Sequence, residues 1–115
     1  MAEEATLRKW EIKLFESARG EKIVESFTSS LENQTRSKLA HLMDLLQKYG
    51  PNLGMPHSKT IASGLYELRI RGKSEIRILY TFKGKYVYFL HAFKKQSQKT
   101  PDKEIETANQ RLKLI

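Results

Sequence analysis

The stretch from residue 65 to residue 95 constrains the fold most, because it holds three apolar segments in close succession. Those segments are Leu65–Ile70, Ile76–Phe82 and Tyr86–Phe93. Each is six to eight residues long and rich in Ile, Tyr, Phe and Val, a composition typical of β-strands. The short breaks at residues 71–74 and 83–85 each contain a glycine, which favours a hairpin turn. The stretch therefore predicts an antiparallel meander of three strands.

One strand and two amphipathic helices are predicted upstream of the meander. Residues 9–15 alternate between polar and apolar side chains, which predicts a half-buried strand at an edge of the sheet. From residue 21 the apolar spacing becomes helical. One helix face carries Ile23, Val24, Phe27 and Leu31, and a second carries Leu39, Leu42, Met43, Leu46 and Tyr49. The second helix is predicted to end at Gly50-Pro51, followed by a loop over residues 50–64, and both helices are expected to pack on the sheet as a hairpin.

A third helix is predicted after the meander. Thr100, Pro101 and Asp102 have the residue types favoured at an N-cap, a first helical position and an acidic first turn. An apolar stripe then continues through Ile105, Ala108, Leu112 and Ile115. The predicted order is β-α-α-β-β-β-α, an α+β fold with a mainly antiparallel sheet. We expect one domain over residues 1–115, with residues 1–7 frayed.

Strand alternation predicts which side chains share a face of the sheet. The apolar sets of the first two meander strands are expected to face the helices. The open face is then predicted to carry Arg69, Arg71 and Arg77, with Glu67 and Glu75 among them. The third strand is apolar on both faces, so periodicity does not decide its orientation. Its open side is either Val87, Phe89, His91 and Phe93 or Tyr86, Tyr88, Leu90 and Ala92.

The positive charge of the chain is concentrated in one part of the sequence. The 115 residues carry a net charge of +8, and residues 57–100 hold ten Lys or Arg against only two acidic residues. The flanking parts are neutral. Such segregation is typical of a surface that binds a polyanion, and the alternative is a solubilising basic face without a ligand.

The composition excludes several other classes of protein. The absence of cysteine excludes a disulfide scaffold, a cysteine-ligated zinc site and thiol catalysis. No apolar stretch reaches the length of a membrane span or of a signal peptide core, so we expect a cytoplasmic protein that does not enter a membrane. The sequence also lacks a glycine-rich phosphate loop and the HExxH and GxSxG motifs.

The predicted open face has side chains that could act on a phosphodiester. Arginine donates two hydrogen bonds to a phosphate and keeps its charge. Cleavage of RNA without a metal needs removal of the 2′-OH proton, stabilisation of the phosphorane and protonation of the 5′ oxygen. His91 could be an acid or a base, or a hydrogen-bonded core histidine. The arginines could instead form a surface ladder of ion pairs with Glu67 and Glu75. Tyr80, Tyr86 and Tyr88 could either stack on bases or be core residues.

Several segments in order resemble the phage Gp49-like branch of the RelE/HigB toxins. They are residues 64–69 (GLYELR), 77–80 (RILY), 90–95 (LHAFKK) and 98–101 (QKTP), preceded by residues 45–51 (LLQKYGP). The resemblance spans about residues 8–112. It implies a toxin of a type II toxin–antitoxin system that is an mRNA interferase. Such a toxin is a metal-independent endoribonuclease that cuts mRNA, often on the ribosome.

The resemblance also implies partners and site residues. It implies no cofactor, and an antitoxin that is commonly a helix-turn-helix protein of the HigA type. The expected catalytic residues are Arg69, Arg77, His91, Lys94 and Lys95, where Arg77 matches the arginine that contacts the scissile phosphate. The expected RNA-binding residues are Lys59, Arg71, Lys73 and Lys99. Glu67 stands where RelE has a lysine, and the last helix has no tyrosine to match that of RelE, so His91 and Lys99 are alternatives for the acid and the base.

Two other functions fit the same basic sheet. The first is a nucleic-acid-binding module without catalysis, in which the cations contribute only affinity. The second is an interaction protein that docks an acidic partner. Multiple turnover separates an enzyme from a binding module, and a steep salt dependence of RNA affinity separates both nucleic-acid functions from the interaction protein.

Overall fold

The computed structural model describes residues 9–115, so the predicted fraying of residues 1–7 lies outside the described residues. Residues 9–115 form five strands and three α-helices. The strands are β1 (Glu11–Leu14), β2 (Ser58–Ala62), β3 (Leu65–Ile70), β4 (Ile76–Lys83) and β5 (Tyr86–Lys94). The helices are α1 (Ile23–Ser29), α2 (Asn33–Tyr49) and α3 (Asp102–Leu112), and a short 3-10 helix, Gly50–Asn52, follows α2. No helix over this range is long and apolar enough to cross a membrane.

The strands form one sheet in the order β1-β5-β4-β3-β2. Strands β2 to β5 pair antiparallel with their neighbours, and β1 lies at an edge, parallel to β5. The predicted α+β fold is therefore confirmed, with the meander between the helical hairpin and the last helix. The structure adds one strand, β2, inside residues 50–64, where a loop was predicted.

Strand β2 lacks the apolar alternation by which the other strands are recognised. Its Lys59 and Thr60 are exposed, and Ser58 is its one buried residue. The strand pairs with β3 and has an irregular register between Thr60 and Ala62. It is an edge strand held by backbone hydrogen bonds rather than by buried side chains, so its composition could not predict it.

The helical hairpin covers one face of the sheet, as predicted. Val24 of α1 and Leu39, Leu42 and Leu46 of α2 are buried in a core with Leu68, Ile70, Ile76, Ile78, Tyr80 and Phe89 of the sheet. Tyr49 was expected on the same buried stripe, but it is 55% exposed. It is the last residue of α2, and the adjoining core position is filled by a different aromatic ring.

That ring belongs to Trp10, which packs against the glycine that ends α2. Gly50 has a φ of 53°, in the left-handed region that glycine adopts without strain. A Cβ atom at Gly50 would lie 2.1 Å from Nε1 of Trp10, so no larger residue fits there. Trp10 also contacts Phe82 edge-on, with 4.9 Å between ring centroids. The predicted helix end is thus confirmed, and the glycine also couples α2 to the residues that precede β1.

Helix α3 covers part of the opposite face, so the expectation of an open second face was wrong. Ala108 is fully buried in a second core with Leu65, Leu79, Leu90 and Phe93, and Ile105 and Leu112 pack against it. Thr100 was expected to cap α3, but Pro101 occupies the N-cap position and no side chain caps the helix. The Thr100 hydroxyl donates instead to the buried carboxylate of Glu67. The segment before α3 is therefore attached directly to β3.

A register irregularity in β5 explains why both faces of this strand are apolar. Tyr80 pairs with Phe89, whereas Leu79 pairs with His91, so Leu90 is an additional residue in β5. Val87, Phe89 and Ala92 belong to the core under the hairpin, whereas Leu90 and Phe93 belong to the core under α3. Neither alternating set predicted for this strand is correct, because the bulge shifts the alternation by one residue.

Candidate functional site

Arg77 of β4 lies on the part of the sheet face that α3 leaves uncovered, yet it is only 2% exposed. Its Nη2 donates to Oε1 of Glu75 at 3.0 Å, and its Nη1 donates to the Ile76 carbonyl at 3.0 Å. Its Nε lies 3.8 Å from Oε1 of Glu67 and has no hydrogen-bond partner within residues 9–115. The expectation that Arg77 is exposed on an open face was wrong, because the carboxylates and the segment after β5 enclose it.

Glu67 is the carboxylate that the arginines share. Its side chain is buried and accepts a hydrogen bond from the Thr100 hydroxyl. The same Oε1 that faces Arg77 lies 4.0 Å from Nε of Arg69, and this Nε also lacks a hydrogen-bond partner in the described part of the chain. Glu67 therefore holds two guanidinium groups near one another by charge, while leaving donors on both of them unused.

Glu75 supports Arg77 from the surface. The hydrogen bond from Arg77, reinforced by the backbone amide of Gly72 and by the charges of Arg77 and Arg71, holds the pKa of Glu75 below its usual range. Its Oε1 lies 3.9 Å from Nη1 of the exposed Arg71. Because the Glu75 side chain is 37% exposed, solvent screens this contact more than it screens the contacts of Glu67.

Two adjoining cavities open over these residues. One, of about 320 Å³, is lined by Arg69, Glu75, Arg77, Lys95, Ser97 and Gln98. The other, of about 260 Å³, shares Arg69, Lys95 and Gln98 with it and adds Lys59, Lys99, Glu67 and Thr100. We call the two together the basic groove, defined by Lys59, Arg69, Arg77, Lys95 and Lys99. Five cations face two carboxylates there, which leaves an excess of three positive charges for an anionic ligand.

Lys95 is the least exposed lysine of the groove. Burial lowers the pKa of its amine, and the charges of Arg77, Arg69 and Lys59 lower it further against the opposing effect of Glu67. The Lys95 backbone amide donates to the Glu75 carbonyl at 2.7 Å, which fixes the start of the groove wall. A lysine with a lowered pKa can exchange a proton with a ligand nearer to neutral pH than an exposed lysine can.

His91 lies outside the basic groove, in a cluster under α3. Its Nε2 is 2.8 Å from Oε1 of Glu104, and its Nδ1 is 3.3 Å from Nη1 of Arg111. Because a guanidinium can only donate, Nδ1 accepts and Nε2–H donates to Glu104. The ring also stacks on Phe93, with 5.6 Å between centroids. We call His91, Glu104 and Arg111 the histidine cluster, and its contacts correspond to the alternative of a hydrogen-bonded core histidine.

The remaining predicted residues are spread around the sheet. Lys94 is exposed and pairs with Ile76, which points it to the hairpin face rather than to the groove. Lys73 is exposed in the turn between β3 and β4. Arg71 is exposed at the end of β3 and pairs with Glu75. Of the nine predicted catalytic and RNA-binding residues, the structure brings five together in the groove.

Sequence reasoning missed the part played by the segment between β5 and α3. Ser97, Gln98 and Thr100 form one wall of the groove, although residues 96–100 have the composition of a polar linker. One sequence signal could have pointed to the groove, namely an acidic residue, Glu67, beside arginines in a predicted strand. Its hydroxyl partner lies 33 residues away in sequence, and spacing cannot reveal such a contact.

The chain matches a family of known proteins over most of its length. Residues 26–113, about three quarters of the chain, match the family described as phage derived protein Gp49-like. The match begins within α1 and includes α2, the meander, the basic groove and α3, whereas β1 lies outside it. No curated protein matches the sequence. The predicted Gp49-like resemblance is confirmed, whereas membership of the RelE/HigB toxins stays a prediction: the protein belongs to the phage-derived Gp49-like family, which is associated with toxin–antitoxin systems.

Proposed function

We propose that this protein is the toxin of a type II toxin–antitoxin system and that it cleaves mRNA as a metal-independent endoribonuclease. One observation carries the proposal: five cations converge on a groove in which Arg77 is buried and Lys95 has a lowered pKa. A surface that only improved solubility would expose its cations separately to water. Family membership supports the association with a toxin–antitoxin system.

The groove residues can divide the three tasks of RNA cleavage among themselves. Lys95 in its neutral form takes the proton of the 2′-OH, which attacks the adjacent phosphorus. Arg69 and Arg77, which line the groove, stabilise the charge of the phosphorane with their guanidinium groups. A protonated lysine, Lys59 or Lys99, gives a proton to the departing 5′ oxygen. The products are then a 2′,3′-cyclic phosphate and a free 5′-hydroxyl.

A second function, RNA binding without catalysis, is favoured by the state of His91. The histidine that would be the simplest acid or base near neutral pH is bound to Glu104 and Arg111, away from the groove. If Lys95 does not transfer a proton, the groove supplies affinity and no chemistry. Multiple cleavage events per protein molecule separate the two functions.

The antitoxin is proposed to cover the basic groove. A helix-turn-helix protein of the HigA type is the expected partner in the cytoplasm, with mRNA, on or off the ribosome, as the competing ligand. Without the antitoxin, the excess positive charge of the groove would leave it free to bind RNA. Salt-sensitive RNA affinity should therefore be weaker in the complex than in the free toxin, and equal affinity in the two would contradict this part of the proposal.

The activity is tested with purified protein and a short 5′-labelled RNA in the presence of EDTA. We expect several cleavage events per protein molecule and products that end in a 2′,3′-cyclic phosphate. The same RNA with 2′-O-methyl groups should bind and stay intact, because its nucleophile is blocked. Induction in bacteria should arrest growth and cut mRNA within coding regions. Salt-dependent binding without turnover would establish the second function, and intact transcripts under confirmed expression would contradict the toxin.

A further inference from the structure

A separate cavity of about 540 Å³ lies between helix α2 and the end of strand β3. Its lining includes Leu42 of α2 and Ile70 of β3, which belong to the core under the hairpin, and Pro56 from the loop before β2. A volume of several hundred Å³ with apolar walls is typical of a site for a small organic group. None of the chemistry proposed for the basic groove uses this cavity.

The polar residues around the cavity point to the charge of its ligand. Lys38, Arg69 and Arg71 line it, and among its lining residues in the part of the chain that the structure describes none is acidic. Lys38 donates to the Arg71 carbonyl at 2.9 Å, which holds the lysine over the end of β3. The imidazole rings of His41 and His57 also contribute to the lining. The cavity therefore fits a largely apolar group that is attached to negative charge.

Arg69 connects this cavity to the basic groove. It lines the cavity and both parts of the groove. Its backbone amide donates to the His57 carbonyl at 2.8 Å, and its Nη1 reaches Sδ of Met55 at 3.7 Å, so the side chain extends along the loop that borders the cavity. An anion on Arg69 would lie where the two spaces meet. A nucleotide has this arrangement, because its phosphate and its flat base are joined by one ribose.

We propose that the cavity binds a nucleobase of the RNA, that of the nucleotide whose phosphate contacts Arg69. The proposal rests on the groove as an RNA site and deepens it, because the base in the cavity selects the position of the cut. Leu42, Ile70 and Pro56 contact the faces or edge of the ring, and His41 and His57 offer flat surfaces for stacking. Gln34 and Ser37 line the same cavity and can donate or accept hydrogen bonds at the edge of the base.

The test uses dinucleotides with a 2′-O-methyl group, which cannot be cleaved through the 2′-OH. Wild-type protein labelled with 15N is titrated with the four homodinucleotides and, separately, with ribose 5-phosphate. We expect amide shifts on the α2 side of the cavity, around Ser37 and His41, with at least one dinucleotide and not with ribose 5-phosphate. The Ser37→Phe variant fills the cavity from an exposed helix position. It should lower the affinity for that dinucleotide by about tenfold or more, the size of a lost base-stacking contact.

Ser26→Phe is the matched control, because Ser26 is an exposed serine on α1 away from the cavity. It should bind the dinucleotide within about twofold of wild type, since no base contact is lost. Equal cavity shifts with ribose 5-phosphate would overturn the proposal in favour of an anion site. Cavity shifts with an acidic apolar peptide and none with any dinucleotide would overturn it in favour of a protein-binding site. The 2′-O-methyl probes measure base binding independently of cleavage. If they bind in the cavity but unmodified RNA is not cleaved, the proposed nuclease activity is refuted and the proposed base site is not.

Discussion

The basic groove and the histidine cluster lie on the same face of the sheet and both contain arginine and glutamate, yet they differ in how completely their polar groups are satisfied. In the histidine cluster, Arg111 bonds both the Leu90 carbonyl and His91, and His91 bonds Glu104. In the groove, Arg69 and Arg77 each keep an Nε donor without a partner in residues 9–115. A buried donor without a partner costs free energy unless a ligand supplies the acceptor.

The position of α3 causes this difference. The helix lies over the middle of β5 and closes the histidine cluster with its own side chains, Glu104 and Arg111. The groove lies before the start of the helix, where the chain crosses as an irregular segment and leaves cavities. The sequence and its family resemblance made both His91 and Arg77 catalytic candidates. Their different surroundings predict that substitutions in the two regions will affect different properties.

The largest effect is expected for Lys95→Arg. Arginine keeps the positive charge but does not lose its proton near neutral pH, so RNA binding should persist while the cleavage rate falls by about a thousandfold, as for loss of a general base. Single-turnover cleavage and equilibrium RNA binding are measured side by side. Lys94→Arg, the same change on the neighbouring residue that faces away from the groove, should leave both unchanged. If Lys95→Arg cleaves normally, Lys95 contributes binding only.

Arg77→Met should lower the free energy of unfolding by about 3 kcal/mol, because it leaves the buried Glu67 carboxylate without its nearest guanidinium. Urea denaturation measures the loss. The double variant Arg77→Met, Glu67→Gln should recover part of that stability, since it removes the uncompensated charge and keeps an acceptor for Thr100. Arg71→Met, at an exposed arginine paired with Glu75, is the control and should cost about 0.5 kcal/mol or less. Equal losses at Arg77 and Arg71 would show that burial of the groove arginine has no energetic consequence.

His91→Ala should lower stability by about 2 kcal/mol, because Arg111 and Glu104 lose a partly buried partner. The cleavage rate of the folded protein should not change, since His91 lies outside the groove. Glu104→Gln removes the charge from the same cluster and should likewise leave cleavage intact. Thermal unfolding and single-turnover kinetics together separate the roles. Loss of cleavage in a His91→Ala protein with normal stability would make the histidine catalytic and break the comparison.

The smallest effect is expected from Glu75, at the exposed border of the groove. Its pKa is lower in the folded protein than in the unfolded chain, so its contribution to stability is present above the ordinary glutamate pKa and is lost as the pH falls through the lowered value. Glu75→Gln should therefore flatten the decline of stability in acid, measured by urea denaturation at a series of pH values. An unchanged acid profile in this variant would show that the pair with Arg77 contributes nothing measurable.

Much of the fold was predictable from local pattern. The three segments between residues 65 and 95, the helical spacing before them and the Gly50-Pro51 helix end all depend on neighbours in sequence. Strand β2 was not predictable, because an edge strand with Lys59 and Thr60 exposed has no hydrophobic signal. The orientation of β5 was not predictable either, because the extra residue, Leu90, becomes visible only when its pairing with β4 is known.

The sequence by itself determined the meander, the helical hairpin and the confinement of the positive charge to residues 57–100, since these follow from periodicity and composition. Only the tertiary structure decided that Arg77 is buried, that Thr100 binds Glu67 instead of capping α3, and that His91 is bound under α3. The physical reason is the range of the interactions. Periodicity reports which residues share a face, whereas hydrogen bonds and ion pairs between residues tens of positions apart depend on where α3 and the segment before it pack against the sheet.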